Sequence, residues 1–176
     1  PAEALHAALG ALGKDVVAGV ELAAKKYGVE VVESVGYERN TVKVEAAVDA
    51  MLKANPQSIV LGATTAAAIE FVRQYKERGG TATLYGLSII DTQALLKKLG
   101  STGARGYAFS VVVPLEKQTS LTVNRDYLAL RKASTDPDLA ARSIEGDIAA
   151  RAGVPALRRG GSCPAELVKT LCCMTV

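Results

Sequence analysis

Short β-branched runs alternate with longer helical patterns over the first 113 residues, and this alternation is the strongest constraint on the fold. Ser58 to Leu61 is apolar and ends at Gly62, with threonines and a helical pattern directly after it. Thr83 to Tyr85 ends at Gly86 in the same way. Such short connections favour parallel strands covered by helices. The pattern therefore predicts an α/β protein with a parallel sheet and helices on both of its faces.

The boundaries of the predicted elements follow from glycine, proline and capping residues. Strands are predicted at residues 29–35, 58–61, 83–85 and 107–113, and helices from Lys14, Asn40 or Thr41, Thr64 or Thr65, and Asp91. The first ten residues, rich in Ala and Leu, favour a helix. After Pro114 the pattern is helical only, at residues 121–132, 140–159 and 164–171. We therefore expect one domain over residues 1–113 and a second group of helices over residues 114–176.

Composition and charge exclude several classes of function. The net charge is only +3, with both signs mixed along the chain, so no nucleic-acid partner is expected. No stretch approaches the about 18 apolar residues of a membrane span. One histidine, His6, and the absence of a C-x-x-C pair among Cys163, Cys172 and Cys173 predict no metal site, while the state of these thiols stays open.

The candidate binding residues lie where strands are followed by helices. In an open parallel sheet, ligands bind outside the carboxyl ends of the strands, where helix N-termini offer free N–H groups. Nine residues at three such corners are the predicted ligand-binding residues: Leu12, Gly13, Gly62, Ala63, Thr64, Thr65, Gly86, Leu87 and Ser88. Glycine and threonine also suit an ordinary βα turn, so simple capping remains the alternative. The sequence has neither a Walker motif nor G-x-G-x-x-G, and no cofactor is expected.

No set of residues indicates catalysis. The acidic residues are spread over predicted solvent faces, and Glu145 and Asp147 point about 200° apart on a helix, which does not suit a carboxylate pair. Nothing combines a nucleophile, a base and an orienting group. We therefore expect no enzyme.

Several ordered stretches resemble one family. They are Gly13-Lys14-Asp15 to Gly19-Val20, Tyr37-Glu38-Arg39-Asn40-Thr41, Asn55 to Leu61, Leu87 to Ile90, Gly106 to Pro114, and Ser143 to Arg151. In order and spacing they resemble the substrate-binding proteins of branched-chain amino acid ABC transporters, which are type I periplasmic binding proteins. The resemblance covers about residues 11–171.

The resemblance implies a periplasmic protein of two lobes that close around a small solute and deliver it to the membrane permease of an ABC importer. Residues 1–113 would form the C-terminal lobe without its first strand. Residues 114–176 would cross the hinge and pack on a largely absent N-terminal lobe. A partial chain of this kind is expected to expose apolar surface and to self-associate.

The resemblance also bears on the solute, an amino acid or a small organic or aromatic acid bound in the cleft between the lobes. Amino-acid-binding members carry an acid at the position of Ser88, where it pairs with the ligand's ammonium group. Serine there removes that partner, which favours a carboxylic or aromatic acid. A flavodoxin-like α/β enzyme, using His6 or Asp91, and a sensory ligand-binding domain of the same fold remain the alternatives.

Overall fold

The computed structural model describes residues 2–7, 11–38, 40–115, 117–136, 139 and 141–160. The chain divides into two compact units, unit 1 over Pro1–Ser110 and unit 2 over Val111–Val176. The assignment of these units to two lobes of a binding protein remains a prediction.

The described residues of unit 1 form a parallel sheet with four helices, as the alternation predicts. Its strands are β1 (Ala2–Ala7), β2 (Glu30–Val35), β3 (Ser58–Gly62), β4 (Thr83–Gly86) and β5 (Tyr107–Phe109), in the order β2-β1-β3-β4-β5. All four pairings are parallel. Its helices are α1 (Ala11–Tyr27), α2 (Glu45–Ala54), α3 (Thr65–Glu77) and α4 (Thr92–Gly103). The prediction of an α/β parallel-sheet fold is confirmed, although β5 ends four residues earlier than expected.

The N-terminal segment is the main departure from the sequence prediction. The expectation of a helix there, with the first strand missing, is wrong for residues 2–7, which form β1 in the middle of the sheet. This strand pairs with β2 on one side and β3 on the other. Its Ala and Leu residues favour a helix by intrinsic propensity, but two neighbouring strands satisfy its backbone groups on both sides. Tertiary pairing therefore decides its conformation.

The core of unit 1 lies on one face of the sheet. Ile59 and Leu84 are opposite each other in the β3–β4 register, so their side chains share that face. Both are fully buried, as are Met51 of α2 and Phe71 of α3 in the same cluster. The other face is less covered, since Val60 is half-buried and Tyr85 is 44% exposed. Helices are predicted on both faces of the sheet, but β3 is fully buried on one face only.

Unit 2 contains two helices among the described residues, α5 (Thr122–Ala133) and α6 (Ala141–Gly160). Both lie within one residue of the predicted ranges. They contact each other, and Arg151 of α6 pairs with Asp126 of α5 at 3.0 Å and with Asp147 at 2.7 Å. The third predicted helix, residues 164–171, and the three cysteines lie outside the described residues.

Candidate functional site

The strand order places the predicted corners at one edge of the sheet. The chain leaves β1 for β2 on one side and continues from β3 to β5 on the other, so the topological switch point lies between β1 and β3. Leu61 is opposite Gly86 in the parallel β3–β4 pair. The corner 62–65 and the corner 86–88 therefore follow adjacent strands at the same carboxyl edge.

The third predicted corner has a different local structure from the one expected. Leu12 and Gly13 were expected ahead of the first helix, but α1 already begins at Ala11 and holds both residues in its first turn. Because α1 follows β1, its N-terminus also belongs to the carboxyl side of the sheet. The ligand-binding role of all nine residues remains a prediction.

Thr64 occupies the N-cap position of α3 without capping it through its side chain. Its backbone is extended, with φ −70° and ψ 160°, and no side-chain cap hydrogen bond forms. Its own N–H instead donates to the hydroxyl of Tyr37 at 3.2 Å. Tyr37 is only 5% exposed and belongs to the loop between β2 and α2. Side-chain capping by Thr64, one of the two predicted caps, is therefore wrong.

Thr65 connects the corner after β3 with the turn before α4. Its hydroxyl oxygen accepts a hydrogen bond from the Asp91 N–H at 2.9 Å. One carboxylate oxygen of Asp91 accepts from the N–H groups of Gln93 and Ala94, each at 3.0 Å. Asp91 therefore caps α4, as predicted, and its negative charge offsets the positive end of that helix.

The two strand-end glycines are explained by packing. A Cβ at Gly62 would lie 3.1–3.2 Å from the side chain of Val16 in α1. A Cβ at Gly86 would lie 1.7 Å from the Tyr107 hydroxyl and 2.6 Å from the ring carbon that carries it. Gly62 and Gly86 are among the predicted ligand-binding residues, and the structure places protein side chains beside both.

Tyr107 lies against Gly86 with its hydroxyl buried. Within the described part of the chain that oxygen has no hydrogen-bond partner, and desolvation by burial raises the pKa of the phenol to about 12. Burial disfavours the charged phenolate, and the pKa of the phenol therefore rises. Tyr107 therefore stays neutral at physiological pH and fills space beneath the corner at 86–88.

The family model of the periplasmic binding proteins matches residues 4–171 of this sequence. The chain belongs to the type I periplasmic binding proteins. The match spans both units, and it is consistent with the parallel sheet and the strand order seen in unit 1.

Solved structures of binding proteins are similar over nearly the whole chain. A substrate-binding periplasmic protein from Ralstonia solanacearum is 38% identical with a TM-score of 0.85, over 97% of this chain and 49% of that one. A fatty acid ABC transporter substrate-binding protein from Thermomonospora curvata is 18% identical (TM-score 0.82; 97% and 45% covered). A possible leucine/isoleucine/valine-binding protein from Rhodopirellula baltica SH 1 is 21% identical (TM-score 0.80; 97% and 47% covered).

The chain thus spans about half the length of the solved structures that it matches. The two relatives below 25% identity show the fold alone. A comparison with curated proteins finds no match.

The corner after β3 leads directly into the first turn of α3, whose N–H groups are hydrogen-bond donors. Ser88, the last residue of the corner after β4, is half-buried. Among the described residues, no three His, Cys, Asp or Glu side chains are grouped as metal ligands. In the same part of the chain, no helix has the length and apolar character to cross a membrane.

Proposed function

We propose that this chain is the solute-binding component of an ABC importer and binds a small carboxylic acid at the carboxyl edge of the unit 1 sheet, without chemistry. The proposal is carried by the position of two corners: residues 62–65 flank the topological switch point, and residues 86–88 follow the adjacent strand. Membership of the family supports a periplasmic protein that binds a solute and delivers it to a membrane permease.

The donors at the corner after β3 favour an anion. The side chain of Thr64 does not cap α3, and the Thr64 N–H is already engaged with Tyr37. The next N–H groups, of Thr65, Ala66 and Ala67, belong to the first turn of α3, where a helix carries partial positive charge. These groups suit a carboxylate, as backbone donors at helix N-termini do generally.

The hydroxyl of Thr65 is a further hydrogen-bond donor for a carboxylate. Its oxygen accepts from the Asp91 N–H, so its proton is oriented away from that bond and can be donated to an acceptor. Asp91, the acid at this pair of corners, uses its carboxylate to cap α4. An ammonium group would therefore lack the dedicated acid that it needs when desolvated. A monocarboxylic acid fits these corners better than an α-amino acid.

Thermal unfolding followed by circular dichroism tests the proposal with acids and their neutral amides. Benzoate and 4-methyl-2-oxopentanoate are compared with benzamide and 4-methyl-2-oxopentanamide, and L-leucine represents the α-amino acids. We expect the acids to raise Tm, since a ligand at 100 times its Kd stabilises by about 2.7 kcal/mol. The amides should have no effect. The proposal is wrong if no acid raises Tm, or if acids and amides raise it equally.

A further inference from the structure

The hydrogen bond between Tyr37 and Thr64 joins two loops that are 27 residues apart in sequence. Tyr37 lies two residues beyond the end of β2, and Thr64 lies two residues beyond the end of β3. The strand between β2 and β3 is β1. Since neighbouring strands are about 4.8 Å apart, β2 and β3 are separated by about 10 Å. The side chain of Tyr37 therefore reaches across the carboxyl end of β1, at the switch point itself.

Because Tyr37 is buried, its hydrogen bond to Thr64 matters for the position of the α3 N-terminus. Tyr37 is only 5% exposed, so its hydroxyl is an acceptor held in place by packing, whereas Thr64 is exposed and the bond between them is partly buried. Thr64 is the residue from which α3 begins, and it directly precedes the donors assigned to the carboxylate. The orientation of those donors consequently depends on a residue from another loop.

A second hydrogen bond connects the corner after β3 with the turn before α4. Thr65 follows Thr64 and accepts from the N–H of Asp91, the N-cap of α4. Two hydrogen bonds, at 3.2 Å and 2.9 Å, thus connect the loop after β2, the corner after β3 and the turn before α4. Loss of the Tyr37 hydroxyl therefore directly affects the corner after β3, which is the middle one of these three segments.

We propose that Tyr37 is a positioning residue of the binding edge: its hydroxyl fixes the N-terminus of α3 so that the first-turn N–H groups are preorganised for an acid. The proposal rests on the proposed function. Tyr37 itself does not contact the solute. Preorganisation improves affinity because the free protein has less conformational freedom to lose on binding.

The chain provides a matched control in Tyr75. Its side chain is 1% exposed, and its hydroxyl accepts from the Ala82 N–H at 3.4 Å, immediately before β4 begins. That bond lies at the amino edge of the sheet, far from the predicted corners along the strand. Tyr37→Phe and Tyr75→Phe therefore each remove one buried tyrosine hydroxyl that accepts a backbone N–H, and they differ in which edge is affected.

The test measures amide exchange by NMR on the ¹⁵N-labelled full chain, together with the affinity for sodium benzoate. In Tyr37→Phe we expect the Thr64 amide to exchange about three- to tenfold faster, as loss of one hydrogen bond implies. Benzoate should bind about threefold or more weakly to this variant. In Tyr75→Phe both quantities should keep their wild-type values, although Tm falls by a similar amount in the two variants.

Each contrary result identifies what fails. An unprotected Thr64 amide in the wild-type chain, or unchanged exchange in Tyr37→Phe, overturns the positioning role, as does an equal loss of benzoate affinity in both variants. If the wild-type chain does not bind benzoate at all, the proposed function for this acid fails and the positioning role fails with it. Wild-type binding that Tyr37→Phe leaves intact removes the positioning role alone.

Discussion

Gly86→Ala is the substitution for which the structure gives the clearest expectation. Gly86 ends β4 and does not have a positive φ, so its backbone conformation accepts alanine. The added Cβ, however, would lie 1.7 Å from the Tyr107 hydroxyl and 3.2 Å from a side-chain carbon of Ile90. Cβ contacts below 3.0 Å essentially never occur, so the ring of Tyr107 must move.

The expected cost follows from that displacement. Overpacking a core costs about 1–3 kcal/mol, and partial exposure of the displaced ring adds about 1 kcal/mol. We therefore expect the free energy of unfolding to fall by about 2–4 kcal/mol, which lowers Tm by about 8–16 °C in a unit of this size. Gly19→Ala is the control, because a Cβ at this position in α1 meets nothing within 4 Å. It should stabilise by up to about 1 kcal/mol through helix propensity.

The assay is urea unfolding followed by circular dichroism, extended to a double-mutant cycle with Tyr107→Leu. Leucine lacks the hydroxyl and the distal ring carbon that collide with the new Cβ. The cost of Gly86→Ala should therefore shrink by at least about 1 kcal/mol in the Tyr107→Leu background. If Gly86→Ala stays within about 0.5 kcal/mol of wild type, or if the two substitutions are additive, the packing explanation for Gly86 is refuted.

Two further predictions concern Asp91 and the Tyr107 hydroxyl. Asp91→Ala removes both capping bonds of α4 and should cost about 0.5–2 kcal/mol in urea unfolding, while Asp91→Asn should keep most of that stability; equal costs would contradict the capping role. Tyr107→Phe should reduce the loss of unfolding free energy at alkaline pH. The folded pKa of about 12 lies above the ordinary 10.0, so wild type loses stability as pH rises from 10 to 12. Parallel pH profiles of the two proteins would contradict this.

The sequence predicts the strand ends and helix starts at two of the three corners well, because their signals are local. A β-branched run that ends in glycine and is followed by threonine predicts both the end of β3 and the start of α3. The carboxylate of Asp91 needs only the next three residues to cap α4. Elements of this kind depend on neighbours along the chain, so their positions can be predicted without knowledge of any tertiary contact.

Features that depend on distant residues could not be predicted in the same way. The strand β1 is specified by β2 and β3, not by its own Ala-rich sequence. The bond from Thr64 to Tyr37 needs the strand order before the two loops come together. The motif from Tyr37 to Thr41 was visible in the sequence, but nothing local identified a partner for the tyrosine hydroxyl. Likewise, Tyr107 explains Gly86 only once the two lie on one face of the sheet.

The most direct test of the central claim is a chemical-shift titration of the ¹⁵N-labelled chain with benzoate. The claim is that a small acid binds where β3 and β4 end. Amide shifts should therefore concentrate at residues 62–65 and 86–88, with the largest changes in the first turn of α3. Saturable shifts confined to the opposite edge, for example at residues 80–82, or none at either corner, would contradict the account.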